Sequence, residues 1–414
     1  MEISAEEIKK RAYELRDQIT QDRRCLHQIP EIGTDLPQTS AYIKKRLDEM
    51  GIPWKDCGGP LPAKMTDDFV EAGFPRMEKE TGVTAVIGHG SPCILLRADM
   101  DALPVREDND LEYKSCNGAG HMCGHDSHAA MLLGAAQILK DMESELKGSV
   151  KLMFQPGEET GAGARVMVEN GALQDPQVNA AFGLHVQPTD DTGKVGYAVG
   201  VNSASLDSLI LKIHGRGGHS SQPQLCTDPL MIMNQVYQAV NLLATREADP
   251  AAMVALTCGV AKGGTAVNII PDEAELHIGL RTLDVEAAEH LKKRIPEVID
   301  HYVKAWNGDY DLTIFHTPCT FSNEELCREV VPHIGEVVGE EKVYQIPPMT
   351  GTEDFGYVTT EVPGMFAFIG AGKPGNAPLH SPKMILDEEV LPLGAAIHAN
   401  VAVTWLEEHG KEKH

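Results

Sequence analysis

Apolar positions recur with two different periods along this chain, and the way the periods alternate changes near residue 197. Helical spacing runs from about Ala5 to His27 and returns over "TSAYIKKRLDEMG", where Gly51 fits a C-cap. Short continuous apolar runs then appear in "CILLRADM", "SVKLMFQPGEE" and "NAAFGLHV", each the length of a buried parallel strand. Between the first two lies "SHAAMLLGAAQILKDM", an apolar helix with Asp126 or Ser127 as its expected N-cap. Strands alternating with helices predict a layered α/β domain whose sheet is mostly parallel, with helices on both faces.

After residue 197 the order becomes strand "SLDSLILKIH", helix "DPLMIMNQVYQAVNLLATRE", strands "MVALTCGVAKGG" and "DEAELHIGLRT", helix "DVEAAEHLKKRIPEVIDHYVKAW" and strand "DYDLTIFHT". That β-α-β-β-α-β order is a ferredoxin-like α+β unit. The chain then returns to the first pattern. The expected organisation is a discontinuous domain over residues 1–196 and 317–414, with a lid or dimerisation domain inserted at 197–316. Residues 56–80 mix Gly, Pro and charge without periodicity and read as an irregular surface excursion.

Composition narrows the function. With 414 residues the chain is long for a single core, so two domains are expected. A formal net charge of -25 repels phosphate backbones and anionic lipid, which sets aside nucleic-acid and membrane-surface partners. The N-terminal stretch is charged rather than apolar, unlike a signal peptide. The nine cysteines are odd in number and form no CxxC pair, which points to a reducing cytoplasm.

Potential metal ligands sit where the apolar runs end. Asp99 and Asp101 close one strand. Cys123, His125 and Asp126 precede the apolar helix. Glu158 and Glu159 follow a strand and a Pro-Gly turn. His185 lies in "FGLHV" and His380 in "PLHSPKM". In open α/β sheets the carboxyl ends of the strands line the functional crevice, so these distant segments can converge there. A thiolate with imidazoles and carboxylates suits Zn, Mn, Co or Ni better than Mg or Ca. Cys123 and His125 cannot share one helix face, but a tight turn at Gly124 lets them meet. Adjacent glutamates offer one carboxylate to a metal and one to act as a base beside it, the pairing that metal-assisted hydrolysis uses. Other readings of these residues are a Cys123–His125 thiol hydrolase and a metal-dependent binding protein. Glu158 speaks against the latter, because binding alone needs no base.

Taken together and in order, "LHQIPEIG", "LLRADMDALPV", "GHMCGHDSHAAMLLGAA", "FQPGEETGAGA", "GLHV", "GRGGHSSQP", "VNIIPDEAELHIGLRT", "GTEDFGY" and "LHSPKM" make the chain resemble the zinc-peptidase clan of aminoacylases and glutamate carboxypeptidases. Within it, the chain resembles the amidohydrolases that include hippurate hydrolases and auxin-conjugate (IAA-amino acid) hydrolases. The resemblance implies two divalent metal ions held by Cys123, His125, Glu159, His185 and His380, with Cys123 bridging. It makes Glu158 the general acid/base and Asp99 the aspartate that orients a ligand. His219 becomes an oxyanion donor, and Asn268 and Arg281 hold the substrate carboxylate. The implied reaction releases a carboxylic acid and an amino acid from an N-acyl amino acid, in a homodimer. A carboxypeptidase or dipeptidase acting on small peptides or aminobenzoyl-glutamate-type substrates is the alternative. "GTEDF", Met384, "HSSQPQLCTDP" and residues 56–80 depart from the family pattern and bear on substrate identity rather than on reaction class.

Overall fold

A computed structural model describes residues 4–410. The chain divides into two compact units. The larger comprises Met1–Asn202, Thr320–Pro347 and Asp354–His414, and the smaller comprises Ser203–Cys319 with Pro348–Glu353. These limits fall a few residues later than positions 197 and 317. The strand Val195–Tyr197 pairs inside the large sheet, and Asn202 Nδ2 donates to Ser322 Oγ and the Phe366 carbonyl. Both keep the chain in the larger unit beyond residue 197.

The larger unit is built on an eight-stranded sheet. Its middle is four parallel strands in the order Ser149–Gln155, Cys93–Asp99, Ala180–Asp191 and Gly364–Gly372. Antiparallel neighbours extend it at both sides, Val83–Gly88 next to Ser149–Gln155 and Val195–Tyr197 next to Gly364–Gly372. The central strands are buried along their length because both faces are covered. Side-chain alternation divides them. Ile94, Leu96 and Ala98 enter the main apolar core, as do Val150, Leu152 and Phe154, and Phe182, Leu184 and Val186. Arg97 and Asp99, intervening on the other face, are buried charges.

The helix His125–Asp141 lies on the core face, beside Arg16–His27 and Val390–His409. Its small residues permit that closeness. A Cβ on Gly134 would come 2.6 Å from Ile19 Cδ1 and 3.0 Å from Ala395 Cβ. Val390–His409 is the one helix among the described residues long and apolar enough to cross a membrane, and 83% of that stretch is buried within the protein. The periodic stretch from Ala5 to His27 is two helices, Ala5–Glu14 and Arg16–His27, meeting at Leu15.

Residues 56–80 are more ordered than their composition suggests. They form the helix Ala63–Glu71 and a short ladder between Gly59–Pro60 and Lys79–Glu80. Phe69, Met77 and Glu80 are buried, so this excursion has anchoring side chains of its own.

The smaller unit carries a four-stranded antiparallel sheet in the order Val254–Gly263, Glu273–Thr282, Ser205–His214, Asp309–Thr317. Its helices Pro229–Arg246 and Val285–Ala305 cover one face, over Leu209, Leu211, Ile213, Leu276, Ile278 and Leu280. This is the ferredoxin-like arrangement.

Candidate metal centre

Cys123 and His125 flank a turn at Gly124, which has φ +86. The turn is closed by the Gly124 N–H on the His121 carbonyl, and the helix starts at His125. Asp126 does not cap this helix as expected. Its buried carboxylate instead accepts from Arg23 Nε at 2.9 Å and lies 2.8 Å from His27 Nδ1. A buried guanidinium needs an acidic partner, and Asp126 supplies it.

The imidazoles are oriented by oxygen acceptors. His125 Nδ1 lies 3.0 Å from the Asp101 carbonyl and 3.3 Å from Asp101 Oδ1. His185 Nδ1 lies 2.7 Å from the Val186 carbonyl. A carbonyl only accepts, so Nδ1 carries a proton in both rings and Nε2 is the nitrogen turned toward the cluster. Nε2 of His125 is buried without a hydrogen-bond partner among the described residues, and Nε2 of His185 lies 3.6 Å from Cys123 Sγ.

Glu158 and Glu159 stand on the 3-10 turn Glu158–Thr160. Their backbone N–H groups both donate to the Asp101 carboxylate, each at 3.1 Å. Glu159 Oε1 then comes within 3.4 Å of His380 Nε2 and 3.9 Å of His125 Nε2, while Glu158 Oε2 is 4.0 Å from His125 Nε2. His380 takes a left-handed backbone, φ 65, with its N–H on the Met122 carbonyl at 2.7 Å. That strained conformation returns the loop to the cysteine turn.

Two of the three-residue groups that result share Cys123. Ligand atoms of Cys123, His125 and His185 lie within 4.8 Å of one another, and so do those of Cys123, Glu159 and His380. Cys123 belongs to both. The electrostatics ask for positive charge. His380 beside the Cys123 sulfur and Glu159 has its pKa raised to about 10. Burial pushes the Cys123 thiol up, as expected of a thiol that loses its proton only to a cation. Burial together with His128 holds His185 well below the ordinary histidine value, hence neutral and able to ligate. The donor set, the bare Nε2 of His125 and this charge pattern fit divalent ions of the zinc type.

Asp99 is placed differently from Asp101. Its oxygens take Arg97 Nη1 at 2.7 Å and His128 Nδ1 at 2.5 Å, and Oδ2 stands 3.7 Å from His125 Nε2. Burial opposes its charge, but Arg97, His125 and His128 together hold its pKa well below the carboxylate range. The residue hydrogen-bonded to a candidate ligand is therefore Asp101. In the sequence it reads either as a second potential ligand beside Asp99 or as a strand terminator, and its spacing two residues from Asp99 was the one available signal.

In the smaller unit, His219 and Asn268 are neighbours. The ladder pairing Gly218–His219 with Ile269–Ile270 joins their segments, and the Ser220 N–H donates to the Asn268 carbonyl at 3.1 Å. His219 Nδ1 accepts from the Ser221 N–H at 3.1 Å, which leaves the ring proton on Nε2. Arg281 is half-buried on Glu273–Thr282 and donates to Thr352 Oγ1. Burial alone pulls its pKa down, and it forms no ion pair among the described residues.

A turn presenting paired glutamates beside this cluster, at the carboxyl ends of a parallel sheet, belongs to a hydrolase acting on amide bonds. The chain is a member of peptidase family M20/M25/M40, whose family model matches residues 95–404. It is 36% identical to the IAA-amino acid hydrolase ILR1-like 4 of Arabidopsis thaliana, over 93% of this chain and 84% of that one. It is 35% identical to an N-acetyl-L-cysteine deacetylase of Bacillus subtilis, over 91% of this chain and 85% of that one. Among solved structures it is similar to a dinuclear metal-binding peptidase of the M20 family from Bacillus subtilis, with a TM-score of 0.73 and 28% identity over 95% of this chain and 99% of that one.

Proposed function

We propose that this protein hydrolyses the amide bond of N-acyl amino acids or related small amino-acid conjugates, using two divalent metal ions. The observation that carries the reading is the pair of ligand groups sharing Cys123 beside Glu158. Cys123, His125 and His185 would hold one ion, and Cys123, Glu159 and His380 the other. When bound, the ions would polarise the amide carbonyl and make water acidic enough to react at neutral pH.

The rest is the work of the chain. Glu158 takes a proton from the attacking water and returns it to the departing nitrogen. Asp101 fixes the turn that carries Glu158 and orients the imidazole of His125. His219, with its proton on Nε2, is suited to donate to the developing oxyanion. Arg281 lacks an acidic partner among the described residues and, with Asn268, is suited to the substrate carboxylate. A thiol hydrolase is the weaker reading, because a nucleophilic cysteine needs a depressed pKa and burial pushes Cys123 upward. A cytosolic homodimer completes the proposal, on the family resemblance and on cysteines that are all free.

The test is chelation followed by readdition of Zn, Mn, Co or Ni, with activity screened over acyl amino acids and dipeptides. Loss and recovery of acyl-amino-acid hydrolysis support the reading. Full activity after complete metal removal contradicts it, and a strong preference for dipeptides moves the assignment to a peptidase.

A further inference from the structure

His128 is a buried histidine in the middle of the candidate centre, and the proposed reaction gives it no part. It stands in a group with Asp99 and His125 whose ligand-type atoms lie within 4.8 Å of one another, so on proximity it too could be a ligand. Its hydrogen bonds exclude this. His128 Nε2 accepts the Val186 backbone N–H at 2.9 Å. A ring nitrogen that accepts an N–H has spent its lone pair. The proton must then be on Nδ1, which donates to Asp99 Oδ1 at 2.5 Å. Asp99 is in turn held by Arg97 Nη1 at 2.7 Å.

The place where His128 acts is the strand end that carries a ligand. Pairing between Cys93–Asp99 and Ala180–Asp191 stops at Arg97 opposite Gly183, so beyond that point the strand has lost its neighbour on that side. His185 and Val186 follow. His128 takes the Val186 N–H that this neighbour no longer takes, and the Val186 carbonyl orients His185 through Nδ1. The two rings meet edge to face with centroids 4.4 Å apart.

We infer that Arg97, Asp99 and His128 form a positioning relay that fixes His185, and with it the ion position made by Cys123, His125 and His185. Through His128 the relay acts on Val186 and not on the ion. It leaves the position made by Cys123, Glu159 and His380 untouched. This inference rests on the two-ion reading given above.

The experiment is calorimetric titration of Zn(II) into the metal-free full-length protein, for the native chain, His185→Ala and His128→Phe, with melting temperatures of the metal-free proteins. The phenyl ring keeps a planar ring at the position of His128, at somewhat larger volume, and removes both hydrogen bonds. Two steps are expected for the native chain. His185→Ala identifies the step that belongs to it, and His128→Phe should weaken that same step by about 10–100-fold while leaving the other nearly unchanged. Two unaltered steps in His128→Phe, or equal losses in both, would overturn the relay. A native chain that binds no zinc would instead overturn the two-ion reading. A second measurement needs no variant. In native protein labelled with 15N-histidine, His128 should show Nδ1 protonated and Nε2 bare, with Nε2 unmoved by zinc while Nε2 of His185 shifts. A proton on His128 Nε2, or a zinc-induced shift there as large as that of His185, would also overturn the relay.

Discussion

Asp101 Oδ1 and His125 Nδ1 lie 3.3 Å apart, and the same carboxylate receives the N–H groups of Glu158 and Glu159. One buried side chain thus sets a candidate ligand and the turn that presents the base. Asp101→Asn places an amide N–H₂ against donors that all need acceptors. It should weaken zinc binding by about 10–100-fold and lower turnover, while the protein still folds. Metal analysis after dialysis against graded zinc, read alongside kcat, checks this. Native affinity with native turnover would show that Asp101 only ends a strand.

Gly124 separates two candidate ligands at φ +86, and a Cβ there would come 2.5 Å from Val186 Cγ2. Gly124→Ala adds both a left-handed backbone penalty of roughly 1–2 kcal/mol and this clash. The expected result is a lower Tm with weakened binding of both ions, because Cys123 serves both groups. Thermal melts with metal stoichiometry decide it.

Arg281 is predicted to read the substrate carboxylate. Arg281→Lys keeps the charge and loses the two-pronged geometry. KM for an acyl amino acid should rise about tenfold or more with kcat little changed. The corresponding amino-acid methyl ester or amide should lose far less. Equal losses on both substrates would remove the carboxylate from the account.

Glu80 gives a pH prediction outside the chemistry. It is 4% exposed, neither carboxylate oxygen has a hydrogen-bond partner among the described residues, and burial, then the charge of Asp354, raises its pKa well above the carboxylate norm. The folded chain therefore keeps this proton after the unfolded chain has lost it. Where the unfolded state binds fewer protons, stability falls as pH rises, here by about 1.4 kcal/mol per unit from the ordinary glutamate value up to the folded one. Glu80→Gln should match the native chain near pH 4 and be the more stable of the two at pH 7–8. Denaturant unfolding at the two pH values tests the sign.

Glu159 and His185 were legible in the sequence because each lies at or near the end of an apolar run, and parallel strands bring such ends to one edge. Cys123 and His125 join them from the turn before the apolar helix, and His380 from the loop after Gly364–Gly372. The division of labour between Asp99 and Asp101 was not legible. Both close the same strand, and only tertiary packing decides that one meets Arg97 and His128 and the other meets His125. Asp126 misled because an acid before an apolar helix reads as a cap, whereas Arg23, 103 residues earlier, claims it. Residues 56–80 lacked a period because one short helix and a two-residue ladder are too brief to show one.

The most direct test of the central claim is Glu158→Gln. The substitution keeps the shape of the side chain and removes the base. Turnover of an acyl amino acid should fall by about 10²–10⁴-fold while the bound metal per chain stays at the native value. Retained turnover with native metal content would contradict it.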